Sequence, residues 1–176
     1  MVFFTAMKLP GTATQEENIY IAMGKLNIKP DQVFLDIGCG SGAVSLAASR
    51  YTERIYGIDR REEAVQMSRA TVARGQFFCG EAADILPDLP RVDRCFIGGT
   101  RGIDDFLPLL LEKTHPGSII VADLARLGIA ASMAQLMKEA GIFQELIQIH
   151  IARGYDLGGD IALKPVNPIF MVIGKC

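Results

Sequence analysis

Short apolar runs alternate along the chain with segments whose apolar residues recur every three or four positions. A continuous apolar run predicts a strand buried on both faces, whereas the wider spacing predicts a helix with one buried face. The runs predict five strands, at about residues 33–37, 54–58, 76–79, 92–97 and 118–122. The spaced segments predict helices at about residues 14–29, 44–51, 62–74, 104–113 and 126–140.

Two further strands are expected near the end of the chain, at about residues 144–152 and 169–173, joined by a glycine-rich loop. Because strands that alternate with helices need crossover connections, the pattern predicts a doubly wound α/β fold: a parallel sheet with helices on both faces. No repeat or linker interrupts the pattern, so residues 1–176 are expected to form a single domain.

Composition narrows the class of protein. The chain has 176 residues, 49% of them hydrophobic, with 18 basic and 20 acidic side chains and a formal net charge of −2. This balance does not supply the basic surface of a dedicated nucleic-acid binder, so no nucleic-acid partner is expected. The longest weakly charged stretch, residues 119–137, contains Asp123 and Arg126, so no membrane span is expected either. The first residues lack the features of a signal peptide, and we expect a cytoplasmic protein.

The cysteines and histidines give no metal-binding pattern. The four cysteines form no C-x-x-C pair, and the two histidines lie far apart in the sequence. No metal site is therefore expected. A thiol nucleophile is weakly supported, because Cys39 and Cys95 lie in apolar segments, where a buried and inert thiol is common.

The most specific motif is a glycine loop, Asp36-Ile-Gly-Cys-Gly-Ser-Gly42, which follows a predicted buried strand and opens a helix. Its three glycines allow positive φ and let a ligand lie against bare backbone. A second acid, Asp59, ends the next predicted strand, 59 − 38 = 21 residues after Gly38. An acid about 20 residues after such a loop binds ribose hydroxyls in nucleotide-binding units.

Three interpretations of this loop compete. A dinucleotide-binding fold uses G-x-G-x-x-G, but position 43 is Ala and the spacing here is G-x-G-x-G. A merely tight turn would not need three glycines, which destabilise a chain by roughly 0.5–1 kcal/mol each relative to Ala. The pattern D-x-G-x-G-x-G with the later acid resembles class I S-adenosylmethionine-dependent methyltransferases. That resemblance implies a Rossmann-like sheet with strand order 3-2-1-4-5-7-6 and an antiparallel seventh strand, with S-adenosylmethionine as cofactor.

Longer segments resemble one methyltransferase family in particular, that of the cobalamin pathway enzymes that methylate and decarboxylate a cobalt-precorrin. They are P-G-T-A-T-Q-E-E from Pro10, Y-G-I-D-R from Tyr56, I-G-G from Ile97, I-A-R-G-Y-D-L-G-G from Ile151 and K-P-V-N-P-I from Lys164. The resemblance covers almost the whole chain. It implies methylation of ring carbon C15, loss of the C12 acetate carboxyl, and a homotetramer.

The resemblance also implies a set of cofactor contacts. Thr14 has a second interpretation as a pure helix cap, because Thr14-Gln-Glu-Glu17 is a capping-box pattern. The family more often has Asp where Glu81 stands, so either Glu81 or Asp84 could contact adenine. The expected cofactor-binding residues are Thr14, Asp36, Gly38, Cys39, Gly40, Ser41, Gly42, Asp59, Glu81 and Ala82.

The implied substrate is a tetrapyrrole with many carboxylates, which requires cations near the cofactor. An electron-rich ring carbon can attack the methyl group directly, so the protein mainly aligns the reactants. Decarboxylation could use a general acid, which the sequence does not identify. A transfer-RNA methyltransferase on the same fold and a catalytically silent scaffold that binds the cofactor remain alternatives. The expected substrate-binding residues are Arg101, Arg126, Arg153 and Lys164.

Overall fold

The structure, a computed structural model, describes residues 14–176. The helices are α1 (Glu16–Leu26), α2 (Ala43–Ala48), α3 (Glu62–Thr71), α4 (Ala82–Ile85), α5 (Ile103–Glu112) and α6 (Leu127–Glu139). The strands are β1 (Phe34–Ile37), β2 (Ile55–Asp59), β3 (Gln76–Cys79), β4 (Arg94–Ile97), β5 (Ile119–Leu124), β6 (Phe143–Ile149), β7 (Ala152–Leu157), β8 (Asp160–Pro165) and β9 (Ile169–Lys175).

Seven of these strands form one sheet, in the order β3-β2-β1-β4-β5-β9-β6. The first five pair in parallel, and β9 runs antiparallel between β5 and β6. Because β9 is the strand that was predicted as the seventh, the predicted order 3-2-1-4-5-7-6 and the antiparallel last strand are confirmed. The carboxyl ends of β1, β2, β4 and β5 lie along one edge, where ligands bind in open α/β sheets.

Alternate residues of each strand pack into two separate cores, one on either face of the sheet. Phe34, Phe96 and Val121 face the core that α1, α2 and α3 cover. Their neighbours Leu35 and Ile97 face the core beneath α4, α5 and α6. The nearly continuous apolar runs of the sequence are thus explained by burial on both faces, which confirms the predicted architecture.

Two local predictions were wrong. The first helix was expected to begin with Thr14 as its cap, but Gln15 holds the N-cap position and makes no side-chain capping bond. The expected glycine-rich loop is a two-stranded antiparallel ribbon, β7–β8, turned by Gly158 and Gly159, both at positive φ. Its two strands mix polar and apolar residues and contain no long apolar run, so the local sequence gave only a weak strand signal.

Residues 10–13, which carry part of the family-like segment from Pro10, lie outside the described residues. Within residues 14–176, no helix is long and apolar enough to cross a membrane.

Candidate active site

The glycine loop connects β1 to α2 and lies directly against the end of β4. Gly38 has φ 81°, and a Cβ atom at that position would lie 2.6 Å from the Gly99 amide nitrogen. Gly42 has φ 79° and packs against Ser68 of α3, where a Cβ would meet the Ser68 Cα at 3.0 Å. Two of the three glycines therefore allow close backbone approach as well as an unusual conformation.

Asp59 lies at the end of β2 and ties the loop to the following helix. Its carboxylate accepts hydrogen bonds from the Gly40 amide at 3.0 Å and the Arg61 amide at 3.1 Å. The Arg61 guanidinium adds bonds of 2.9 Å from Nε and 3.0 Å from Nη2. Although burial alone would raise the pKa of Asp59, the bonds from Arg61 and Gly40 hold that pKa below its ordinary value. Asp59 is therefore ionised near neutral pH.

Asp36 and Cys39, both predicted to bind the cofactor, lie beneath the loop and outside the cavities described below. Asp36 is 1% exposed and accepts a 2.6 Å hydrogen bond from the Ser45 hydroxyl of α2. Burial raises the pKa of Asp36 to about 7. The thiol of Cys39 is also buried, which raises its pKa to about 12, so it is protonated and not a nucleophile. Both side chains support the loop from within the core.

The first cavity, the ribose-side cavity, has a volume of about 310 Å³. It lies at the carboxyl ends of β1 and β2 and is lined by five of the residues that the sequence predicts to bind the cofactor or the substrate. These lining residues are Gly38, Asp59, Glu81, Ala82 and Arg101. Ser41 instead supports the loop through its carbonyl, which accepts a 2.9 Å bond from the Thr71 hydroxyl.

The second cavity, the Asp123 cavity, has a volume of about 330 Å³ and lies at the carboxyl ends of β4 and β5. Thr14 and Arg126 line it, together with two polar residues that the sequence had not indicated, Asn18 and Asp123. Gly98 lines this cavity and Gly99 the other, so the two cavities adjoin at this glycine pair. In the sequence Asn18 is one more polar residue of an amphipathic helix, so only its burial in the structure identifies it as a residue of this cavity.

The four cations expected to bind substrate lie at three separate places. Arg101 is beside Glu81 in the ribose-side cavity, with 3.9 Å between its Nε and the Glu81 Oε1. Arg126 lines the Asp123 cavity. Arg153 and Lys164 face each other across the β7–β8 ribbon. Arg153 forms a bidentate ion pair with Glu17 at the start of α1.

Comparison with known proteins identifies the family. A family model described as a precorrin methyltransferase domain matches residues 6–174. The chain belongs to the precorrin methyltransferase family. A relative in Methanosarcina acetivorans is named "Probable cobalt-precorrin-6B C(15)-methyltransferase (decarboxylating)". The two sequences are 32% identical over 179 residues, covering 96% of each chain.

Solved structures of other family members have the same fold as this chain. The C-terminal domain of precorrin-6Y C5,15-methyltransferase from Rhodobacter capsulatus superposes with a TM-score of 0.80 at 27% identity, covering 94% of this chain and 92% of that one. Precorrin 8W decarboxylase from Methanobacterium thermoautotrophicum superposes with a TM-score of 0.88 at 24% identity, covering 94% and 93%.

Proposed function

We propose that this enzyme transfers a methyl group from S-adenosylmethionine to C15 of a cobalt-precorrin and removes the C12 acetate carboxyl, as a step of cobalamin biosynthesis. The observation that carries the proposal is the pair of adjoining cavities in a chain whose full-length relatives bear that activity in their names. The ribose-side cavity has the chemistry expected for the cofactor. The Asp123 cavity supplies polar and cationic groups for the substrate.

The ribose-side cavity fits S-adenosylmethionine. Gly38 lines this cavity with bare backbone, and its lack of a side chain also lets the loop pack against Gly99. Asp59 would accept hydrogen bonds from the ribose hydroxyls, and Ala82 and Glu81 would border the adenine. When bound, this cofactor supplies an electrophilic methyl group. The residues of the cavity would aim that group toward Gly98 and the neighbouring cavity.

A carboxylate offers about four acceptor positions, and four N–H donors from Gly40 and Arg61 already reach Asp59. Ribose hydroxyls would therefore have to replace part of the Arg61 guanidinium. The Arg61 side chain is 33% exposed and that of Asp59 is 4% exposed, so the displaced guanidinium would move toward solvent while the ribose hydroxyls took over its bonds to the buried carboxylate. We propose that Arg61 occupies the ribose position until the cofactor enters.

The substrate's carboxylates would meet cations around the Asp123 cavity. Arg126 lines it directly, and Arg153 lies at its rim, where its Nη2 is 3.3 Å from Oε1 of the cavity residue Gln15. Lys164 is the partner of Arg153 across the ribbon. Because the ring carbon is itself nucleophilic, these side chains need only hold it in line with the methyl group.

We further propose a cytoplasmic homotetramer assembled through the ribbon. Ile161 is 80% exposed and Leu163 is 68% exposed. The two side chains are two residues apart on β8 and therefore share one face of the ribbon. An apolar pair this exposed is typical of a surface that another chain covers.

The proposal is tested by incubating the enzyme with methyl-labelled S-adenosylmethionine and cobalt-precorrin-6B. We expect label in the corrinoid and release of carbon dioxide, with total RNA unlabelled in the parallel control. The alternative function, methylation of transfer RNA, is supported only by a shared fold. A tRNA (m1A58) methyltransferase from Aquifex aeolicus superposes with a TM-score of 0.76 at 15% identity. Label in RNA but not in the corrinoid would overturn the proposal.

A further inference from the structure

The Asp123 cavity contains buried polar atoms that the proposed methyl transfer does not use. Asn18 is fully buried, and within residues 14–176 neither its Oδ1 nor its Nδ2 has a hydrogen-bond partner. The same holds, among these residues, for Oδ1 of Asp123. Leaving buried polar atoms unpaired is costly, and native proteins rarely do so without a functional reason. Three such atoms around one cavity indicate a site built for a polar ligand.

Asp123 is the acid of this site. It lies near the end of β5, where its backbone is fixed by pairing with Met171 of β9. Burial raises the pKa of Asp123 to about 6. Among the described residues that line the cavity, Arg126 is the other charged side chain, and α1, the β4 turn and β9 contribute neutral groups. Asp123 therefore carries a proton in about half of the molecules at pH 6 and in about one-tenth of them at pH 7.

The position of Asp123 relates it to the reacting centre. Its cavity meets the ribose-side cavity at the Gly98–Gly99 turn, which in turn touches Gly38. A macrocycle receiving the methyl group at this junction would extend into the Asp123 cavity. Arg126 at the same cavity can hold a substrate carboxylate in its ionised form, which is the form that leaves as carbon dioxide.

We propose that the carboxyl group of Asp123 is the general acid of the decarboxylation, a catalytic role that rests on the proposed function. The bond between the acetate methylene and its carboxylate breaks, carbon dioxide leaves, and the electron pair passes into the conjugated macrocycle. The pair then returns to the methylene carbon, which takes the proton of Asp123 and becomes a methyl group. Solvent reprotonates Asp123, so the step consumes one proton and needs no oxidant or reductant.

The test is Asp123→Asn, which keeps the size of the side chain but has no acidic proton. Methyl transfer and carbon dioxide release are measured in the same reaction, and the result is their ratio. We expect the carbon dioxide released per methyl transferred to fall by about 100-fold or more, the range typical of a lost general acid. The matched control is Asp88→Asn, the same change at an exposed residue outside both cavities, which should leave the ratio unchanged.

Three further measurements keep the test decisive if the Asn variant folds poorly. Asp123→Glu retains an acid and should recover part of the ratio. In the wild-type enzyme the ratio should decline as the pH rises above about 6, the pKa of Asp123. In the free enzyme, the carboxyl ¹³C resonance of Asp123 should titrate well above those of exposed aspartates.

The outcomes separate this proposal from the proposed function. A wild-type enzyme that neither methylates nor decarboxylates the corrinoid contradicts the proposed function itself. A wild-type enzyme that does both, with an Asp123→Asn variant whose ratio is unchanged, overturns only the role of Asp123. That role is likewise overturned if the wild-type ratio is independent of pH across the titration of Asp123.

Discussion

At the scale of single residues, Asp59 is the side chain on which cofactor affinity should depend most. Asp59→Ala removes the acceptor for the ribose hydroxyls and should weaken S-adenosylmethionine binding by about 1.5–3 kcal/mol, the range for hydrogen bonds to a charged group. Isothermal titration calorimetry measures this directly. Unchanged affinity would remove Asp59 from the cofactor site.

Arg61→Ala should act in the opposite direction. Its guanidinium competes with ribose for the Asp59 oxygens, so its removal should strengthen cofactor binding, by about 1 kcal/mol, roughly the net value of one hydrogen bond. The same calorimetric titration serves as the measurement. If Arg61→Ala weakened binding as much as Asp59→Ala does, Arg61 would instead be a cofactor contact.

Two buried carboxyls should make the enzyme less stable as the pH rises. Burial raises the pKa of Asp36 to about 7 and that of Asp123 to about 6. Between pH 4 and 6 the unfolded chain has lost these protons while the folded chain keeps them, so the free energy of unfolding falls with pH. For Asp123 the loss is at most about 3 kcal/mol, from 1.36 kcal/mol per pH unit.

Asp123→Asn should remove the contribution of Asp123 to this fall in the free energy of unfolding with pH, because the amide does not ionise. Chemical denaturation at pH 4, 6 and 8 compares the variant with the wild type. We expect the variant to gain stability relative to the wild type as the pH rises. Equal slopes for the two proteins would show that Asp123 titrates normally.

At the scale of elements, the contact between the glycine loop and the β4 turn should be sensitive to a single methyl group. Gly38→Ala combines a positive φ with a clash against backbone, and should cost about 2–4 kcal/mol of folding stability. Gly141→Ala is the matched control, since Gly141 has φ 73° but nothing within 4 Å of its Cβ position. It should cost only the conformational strain, about 1–2 kcal/mol. Thermal unfolding of both variants gives the comparison. Equal losses of stability would mean that the β4 turn moves to accommodate the added methyl group.

The ribbon and α1 are joined by Arg153, whose substrate role can be separated from its ion pair with Glu17. Arg153→Ala should lower kcat/KM for the corrinoid by about tenfold or more if the pair with substrate is desolvated, and leave cofactor affinity nearly intact. Glu17→Gln breaks the same ion pair but keeps the guanidinium, so its kcat/KM should remain close to wild type. Equal effects in the two variants would mean that Arg153 serves only to hold α1.

At the scale of the whole molecule, the apolar face of the ribbon should determine assembly. Replacing both Ile161 and Leu163 with Lys puts two charges on this face and should dissociate the proposed homotetramer at micromolar concentration. Light scattering reports the mass. Leu46→Lys, a change at a 45%-exposed leucine of α2, is the control and should leave the mass unaltered. A wild-type protein that is already monomeric would contradict the proposed assembly.

The sequence by itself determined the architecture, because apolar runs such as residues 33–37 are long enough and regular enough to identify buried strands. It also identified the glycine loop and Asp59, since their chemistry depends on spacing within one strand–helix–strand unit. The ribbon escaped prediction because short strands of mixed polarity, such as β7, resemble a loop in sequence.

Only the tertiary structure decided which polar groups share a cavity. Asn18 and Asp123 are more than 100 positions apart in the chain, and the packing of α1 against β5 brings them to one cavity. The raised pKa of Asp123 likewise comes from burial by several elements together, which no local pattern encodes. The division of the four expected cations between the two cavities and the ribbon has the same cause: Arg101 follows β4, Arg126 precedes α6, and Arg153 and Lys164 lie on β7 and β8.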